Sequence, residues 1–487
     1  MKSIYKIFLL LALVPMACNK DLKVDPTSSI TSGSFWKTEN DATGALYGMY
    51  LKLVQESNLG TFYFMGEARS EIMTSSIGGT NTWDRYYLQT LTPTLPGPNW
   101  RGLYSIINAA NLLLKYTPDI PFVVENSKKG ILAQAYTMRA YVYFAMVRTW
   151  GDLPIRTEPI EGYDPITIQV AKSSKEDVFK LIKDDIDAAM ALFPDNTYPA
   201  GRNMWSKPAL NALKAEVYLW TGKQLGGGNA DITTALDALN AVQLSDVQLL
   251  PKYSDIFDYA NKGNKEVVMA IRSQLLENGN NFYVNMYLET TNIPSNVTQG
   301  TKDTIGVGGG QNIWSPTALV RNQFTTDDQR RFGTFYEIQR TTAPAYFATL
   351  GMKGRGTISG GLRNFVNDVI LYRYADILLM KAEAKNALGQ DPTTEMNLVR
   401  QRAYGPNFNT HVFVNGTIAA NDAAILKERL LELMLEGKRW WDLLRFNKAF
   451  ELVPALAPKA GHPNFLLFPI GNDVLALEPL VTQNPDW

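Results

Sequence analysis

Cysteine is nearly missing from this chain. Cys18 stands alone among 487 residues, so neither an intramolecular disulfide nor a multi-cysteine zinc or iron–sulfur site can form. Histidine is almost as scarce: the chain has 2, His411 and His462, and they form no HxxxH or HxH pair, which removes much of zinc and triad chemistry. Charge of either sign is not in surplus. With 47 Lys+Arg against 47 Asp+Glu the formal net charge is zero, and a nucleic-acid binder needs an excess of cations to neutralise phosphates. No stretch is apolar for the roughly 20 residues that a helix needs to cross a bilayer. What is present, 45% hydrophobic residues with 36 Gly and 25 Pro, is the composition of a folded globular chain with ample length for a core.

The first apolar run, Ile7 to Ala17, follows Lys2 and Lys6 and ends Pro15-Met16-Ala17-Cys18. Basic residues, a short apolar run and a small residue describe a secretory signal over residues 1–17. The sole cysteine placed directly after it resembles the lipobox of a bacterial lipoprotein, in which cleavage leaves Cys18 as a lipid-modified (palmitate-bearing) N-terminus. Pro15 and Met16 depart from that pattern, and the alternative is an ordinary signal with a chance cysteine beside it. The lipobox reading implies a chain anchored to a membrane through its N-terminal lipid only. Residues 18–38, with the polar Asp25-Pro26-Thr27-Ser28-Ser29, then read as tether and entry.

Helical periodicity dominates residues 39–250. Helices are expected over Asp41–Gln55, Trp100–Tyr116, Ile131–Trp150, Glu176–Phe193 and Pro208–Trp220. Ser173-x-x-Glu176 has the spacing of a capping box, Ser206-Lys207-Pro208 opens the following helix, and Gly222 is placed to stop it. Ile131–Trp150 is apolar on most sides, interrupted mainly by Arg139 and Arg148, as in a helix sandwiched between neighbours. In the second half, residues 251–487, Leu371, Ala375, Leu378 and Ala382 mark one helix, ended by Gly389 and Pro392. Leu426, Leu430, Leu433, Gly437, Trp440 and Leu444 mark another. The tetratricopeptide consensus survives only in fragments such as Trp100-x-x-Leu103-Tyr104. The expectation is an all-α fold of degenerate, tetratricopeptide-like helix hairpins. Within it, 251–367 forms an irregular, loop-rich insert in which Val267–Ile271 suits a short strand.

Several segments resemble the SusD/RagB family of outer-membrane nutrient-binding lipoproteins. They are Ser34–Ala42 (SFWKTENDA), Ala140–Pro154 (AYVYFAMVRTWGDLP), Tyr372–Ala384 (YRYADILLMKAEA), Glu432–Phe446 (ELMLEGKRWWDLLRF) and the close from Phe468-Pro469-Ile470 to Gln483-Asn484-Pro485-Asp486-Trp487. The resemblance runs in order along essentially the whole chain. It implies a tetratricopeptide-like fold and a non-catalytic, cofactor-free role in polysaccharide utilization. It also implies a surface-facing lipoprotein of the outer membrane that captures oligosaccharide, or peptide, for a SusC-like TonB-dependent transporter.

Glycan capture needs flat apolar faces for sugar C–H groups with polar groups around them, which tryptophan and tyrosine supply at low conformational cost. Trp83, Tyr86 and Tyr87 lie in TNTWDRYYLQT after Gly78-Gly79, in a polar stretch that reads as exposed loop. Arg69, Asn81 and Asp84 are candidates for hydrogen bonds to a ligand, the alternative being solvated loop residues. The irregular insert offers Tyr283, Tyr287 and Trp314, the last placed to stand at a cleft rim. Trp100, Tyr104 and Phe62–Phe64 read as core. Trp440 and Trp441, adjacent on a helix and so about 100° apart, read as structural. Arg439, Asp442 and Arg445 read as pairing on that helix's surface.

Other motifs lead nowhere. Gly306–Gly310 lacks the Gly-Lys-Ser/Thr of a phosphate cradle. Asp327-Asp328 suits a solvated turn better than a calcium site, since spaced oxygen ligands are not evident. Asn296-Val297-Thr298 matters only in a eukaryotic secretory route. The rival function, an all-α glycoside hydrolase, requires two converging carboxylates, one with a raised pKa. The abundant acids, such as Glu428, Glu432 and Glu436 at helical spacing, read as a polar helix face.

Overall fold

A computed structural model describes residues 35–79, 83–162, 164, 166, 168–277 and 279–487. The signal, Cys18 and the tether through Ser34 lie outside the described residues, as does Asn81. Thr38–Trp487 forms one compact unit. It opens with helix α1 (Glu39–Asn58), started by a capping box: the Thr38 hydroxyl accepts from Asp41 N at 3.3 Å, while the Asp41 carboxylate accepts from Thr38 N at 2.7 Å. The short α2 (Thr61–Gly66) follows. Then come α3 (Arg101–Tyr116), α4 (Glu125–Trp150), α5 (Lys175–Leu192), α6 (Lys207–Gln224) and α7 (Gly228–Gln243), each packed on its neighbour in sequence. Only three residues join α6 to α7, which makes the pair an antiparallel hairpin.

From Thr137 to Trp150, α4 is buried on every side, as a sequence apolar on most sides requires. Its two arginines are carried inside by partners from adjacent helices. Arg139 donates to both oxygens of Asp185 at 2.8 and 2.6 Å and to Asn111 at 2.8 Å. Arg148 donates to Glu216 at 2.7 Å and lies 3.6 Å over the Phe144 ring.

The loop-rich insert carries short antiparallel strand pairs. β1 (Met73–Ser75) pairs with β3 (Trp314–Pro316), β2 (Val267–Ile271) with β8 (Val369–Arg373), β4 (Phe335–Gln339) with β5 (Tyr346–Gly351), and β6 (Thr357–Ser359) with β7 (Leu362–Asn364). The strand expected at Val267–Ile271 is therefore present, wholly buried. Helices α8 (Tyr374–Ala387), α9 (Thr393–Tyr404), α10 (Ile418–Leu433) and α11 (Arg439–Arg445) complete the core, with Leu378, Val399, Ile425 and Leu433 in one cluster. Among the described residues no helix is long and apolar enough to cross a membrane.

Several local expectations need correction, each for a tertiary reason. Gly222 does not stop α6, which runs on to Gln224. A Cβ there would stand 2.6 Å from Ile232 Cδ1, so the glycine lets α7 pack close. The α5 cap is Ser174 with Asp177, not Ser173 with Glu176, because Ser173 is drawn into a β-bridge with Leu153. Leu371 belongs to β8, not to α8.

The C-terminal helix expected to be continuous breaks into α10 and α11, with Leu435 and Gly437 at φ +69° and +73°. The cause is the buried carboxylate of Glu67, which accepts from Leu435 N at 2.6 Å and Lys438 N at 3.0 Å. Gly66 sits so near this turn that a Cβ would lie 1.9 Å from the Gly437 carbonyl oxygen.

The acids read as a polar face are interior. Arg373 donates to Glu266, Glu432 and Glu436 at 2.9, 2.6 and 2.8 Å. Arg402 reaches Glu266 at 3.1 Å and Glu432 at 2.5 Å, while Arg330 binds Glu428 at 2.6 Å and also Asp328 and Glu432. Lys353 and Arg400 complete the knot on Glu436 and Glu428, so five cations face five carboxylates. Burial alone would raise the Glu432 pKa, yet Arg402, Arg373 and Arg330 hold it well below the usual carboxylate range. Arg439, Asp442 and Arg445 are likewise buried: Arg439 donates to Glu71 at 2.6 Å, and Arg445 to Glu383 and Asp442, each at 2.8 Å. Trp440 and Trp441 are buried as expected.

Glu432→Gln leaves three arginines short of a counter-charge and should lower unfolding free energy in urea by about 3–5 kcal/mol. Lys180→Ala, which removes the exposed pair with Asp184, should change it by under about 1 kcal/mol.

Burial pushes the Glu67 carboxyl up from 4.5 to about 7, against the lowering effect of the backbone N–H groups it accepts from. The folded state therefore holds this proton more tightly than the unfolded one. Its contribution to stability is full below pH about 4.5 and is lost as pH rises through about 7. Glu432, Glu436, Glu383 and Glu216 all have lowered pKa values and act below that window. The melting temperature of the wild-type protein should thus fall, relative to Glu67→Gln, between pH about 5 and 8. Parallel profiles for the two proteins would contradict this assignment.

Candidate functional site

The loop after β1 and the loop before β3 are zipped together beyond their strand pairing. Ser76 N donates to Ile313 O at 3.0 Å, Gly78 N to Asn312 O at 2.8 Å, and Ser76 Oγ to Asn312 Oδ1 at 2.7 Å. A Cβ on Gly78 would lie 1.9 Å from Gln311 O, so the close approach requires glycine there. Thr317 fastens the other end, donating from N to Ile72 O at 2.7 Å and from Oγ1 to Glu71 O at 2.8 Å. Two segments nearly 240 residues apart thus become one surface.

Onto this base the chain delivers a train of rings. Trp83 stacks on Phe64 of α2 with centroids 4.4 Å apart and planes at 10°, and meets Trp314 edge-on at 5.6 Å. Tyr86 stacks on Phe64 at 4.9 Å. Tyr63 lies parallel to Trp314 at 6.1 Å and stacks on Phe282 at 4.9 Å, and Phe282 meets Tyr283 at 4.4 Å. Of these rings only Trp83 is half-buried; the rest are interior. Ser75 at the end of β1, and Ile77 and Gln311 in the two loops, are exposed, with Asp84 half-exposed beside Trp83. Tyr87, also half-exposed, shares a hydrogen bond with Ser75, and partial burial raises its pKa. One aromatic face held rigid from behind, with hydroxyl, amide and carboxylate groups around it, can hold the C–H face of a sugar ring and answer its hydroxyls.

The sequence-derived candidates divide accordingly. Trp83, Tyr86, Trp314 and Tyr283 are brought into one stack. Trp314, however, is fully buried rather than at a rim, and Tyr86 and Tyr283 are also interior, so their contribution is support. Burial pushes Tyr86 up to about 12. Tyr287 belongs elsewhere: its hydroxyl donates to Ile305 O at 2.7 Å and its ring lies under Arg363 at 4.5 Å.

Arg69 is a correction of a different kind. It is fully buried, donates to Gln89 at 2.9 and 2.8 Å, and donates to the carbonyls of Phe465, Leu466 and Leu467 at 2.5, 3.2 and 2.9 Å. Its guanidinium is sandwiched between Trp440 and Phe468 at 4.7 and 4.9 Å. Burial without a carboxylate pushes its pKa down to about 9, and every donor is spent on the protein. Arg69 therefore holds the C-terminal segment rather than a ligand.

Phe64 is core, as its sequence suggests, and supports Trp83 from beneath, while Gln311 carried no signal. Phe64 sits in an apolar run indistinguishable from core, and Gln311 beside a glycine run that gives no register. Asp327 and Asp328 do not act together: Asp328 is buried on Arg330, while Asp327 meets His411 Nε2 at 2.8 Å. Among the described residues no group of three or more His, Cys, Asp or Glu is placed to hold a metal ion.

Known proteins match along this frame. The family described as "SusD family" matches residues 357–457, and that described as "Starch-binding associating with outer membrane" matches residues 33–219. SusD-like protein P38 of Formosa agariphila is 30% identical over 468 residues, covering 90% of each chain. The solved structure of B. fragilis NanU superposes with a TM-score of 0.82 at 32% identity, covering 95% of this chain and 100% of that one. A SusD superfamily protein of Bacteroides vulgatus gives 0.82 at 30% identity, over 92% and 99% of the two chains. With a relative matched at this identity over nine-tenths of both lengths, and a helical fold that agrees, the chain belongs to the SusD-like family.

Proposed function

We propose that this protein is a non-catalytic surface lipoprotein of the outer membrane, anchored through lipid on Cys18. It captures oligosaccharide on the Trp83 platform and passes it to a SusC-like TonB-dependent transporter. The observation that carries this reading is Trp83 itself, a half-buried indole seated at 10° on Phe64 and followed in the chain by the half-exposed Asp84. The family description names starch binding and the outer membrane, and zero net charge suits a saccharide partner. Glu67, a carboxyl raised to about 7, is sealed in the core on backbone N–H groups and meets no substrate there.

Calorimetry of the chain from residue 19 with a panel of neutral oligosaccharides should record binding heat without release of reducing ends. Trp83→Ala should weaken that binding at least about ten-fold, with the circular dichroism spectrum unchanged. Unaltered affinity would reject the platform, and turnover would reject the reading. The anchor is tested separately in the expressing cell by labelling with a palmitate analogue. Label should be present on the wild type and absent from Cys18→Ala; no label on the wild type, or label on both, removes the anchor.

A further inference from the structure

A separate cleft of about 610 Å³ opens between residues 252–259 and the β6–β7 hairpin, within the roughly 300–1,000 Å³ span of small-ligand sites. It shares no lining residue with the Trp83 platform. Two of its lining residues are glycines packed too closely on their neighbours to carry a side chain. A Cβ on Gly333 would lie 2.5 Å from the Tyr253 ring, and Gly356, at φ +70°, would bring a Cβ to 1.9 Å from Asn364 O.

Among the described residues the exposed aromatics are Tyr47, Phe332 and Tyr346, and Phe332, 59% exposed, lines this cleft together with Tyr259. The cleft's cations are Lys252, Arg355 and Arg363, and its carboxylates are Asp255 and Asp258, so three charges against two leave an excess of one positive. Lys252 and Asp255 pair at 3.5 Å, and Asp258 is taken up by Ala260 N at 2.9 Å. Arg363 is buried on carbonyls, those of Val307, Arg355 and Ile305 at 2.7, 2.6 and 3.2 Å, while Arg355 is exposed. Neither guanidinium forms an ion pair among the described residues. Burial and the adjoining Arg355 charge both push Arg363 down. Two unneutralised guanidiniums beside an exposed phenyl ring suit a ligand that brings both an anion and an apolar face.

We propose that this cleft binds an acidic oligosaccharide, with a uronate carboxylate set against Arg355 and a pyranose face against Phe332. The saccharide class rests on the function proposed above; the site does not. The test is calorimetry of the chain from residue 19 with trimers of galacturonate and of mannuronate, beside maltotriose.

At least one uronate trimer should bind, and more weakly as salt is raised. Its affinity should fall about ten-fold in Arg355→Gln and in Phe332→Ala, and stay unchanged in Trp83→Ala. Both changed side chains are exposed, so the melting temperature should not move. Silence with both uronate trimers, full affinity in Arg355→Gln, or loss confined to Trp83→Ala would each overturn the assignment. If maltotriose binding vanishes in Trp83→Ala while the uronates stay silent, this cleft fails and the platform stands. If uronate binding needs Arg355 while every neutral glycan is silent, the cleft stands and the platform fails.

Discussion

The turn between α10 and α11 is held by one buried carboxylate, and both halves of the chain take their position from it. Glu67 gives its two oxygens to the N–H groups of Leu435 and Lys438, 368 and 371 residues away. A helix broken at that point has unsatisfied donors that water cannot reach, and Glu67 supplies the acceptors. Around it everything is close: Gly66 against Gly437, Glu71 on Arg439, Arg69 between Trp440 and Phe468. Phe64, the ring beneath Trp83, stands three residues before Glu67. A shift of the turn therefore moves the ring on which Trp83 rests.

Buried charge is the recurrent device of this fold. Isolated, a buried guanidinium or carboxylate costs several kcal/mol, and a well-formed pair seldom does much better than offset that cost. The knot around Glu432 contributes less to net stability than to uniqueness. Arg330, Arg373 and Arg402 leave a helical turn, the end of β8 and α9 to meet a single carboxylate of α10, so only one arrangement of these elements satisfies all of them. Strand pairs as short as β1–β3 and β6–β7 could not fix an insert of this length alone. Arg330 and Lys353, carried inward from it onto Glu428, Glu432 and Glu436, add the anchorage the strands lack.

These long-range partners also explain which parts of the fold were legible in the amino-acid order. Five helices of residues 39–250 follow from their apolar period, α7 excepted, and the burial of α4 from its lack of a polar face. The Ser206 cap follows from local chemistry. The break at Leu435–Lys438 does not, because its cause lies at Glu67. Glu428, Glu432 and Glu436 repeat at helical spacing whether they face water or arginines from elsewhere. At the site, the stretch read as exposed loop instead holds a short helix, Asp84–Tyr87, with Tyr86 interior and Trp83 only half-buried. Trp314 sits after a glycine run that looks like a rim, yet β1–β3 pairing turns its ring inward, and nothing local announces that pairing.

One consequence concerns the order in which a growing chain can fold. Glu67, Arg69 and Glu71 fall within five residues; Arg69 has one near partner in Gln89, and the other partners come between 368 and 398 residues later. A polypeptide made N-terminus first exposes these three charges long before Leu435, Arg439 or Phe465 exists, and none can leave water unaccompanied. The charges of Glu67 and Glu71 must stay hydrated until the chain beyond Leu435 arrives. The surface that carries Trp83 is then assembled at the end of folding, so a nascent or C-terminally clipped chain lacks it.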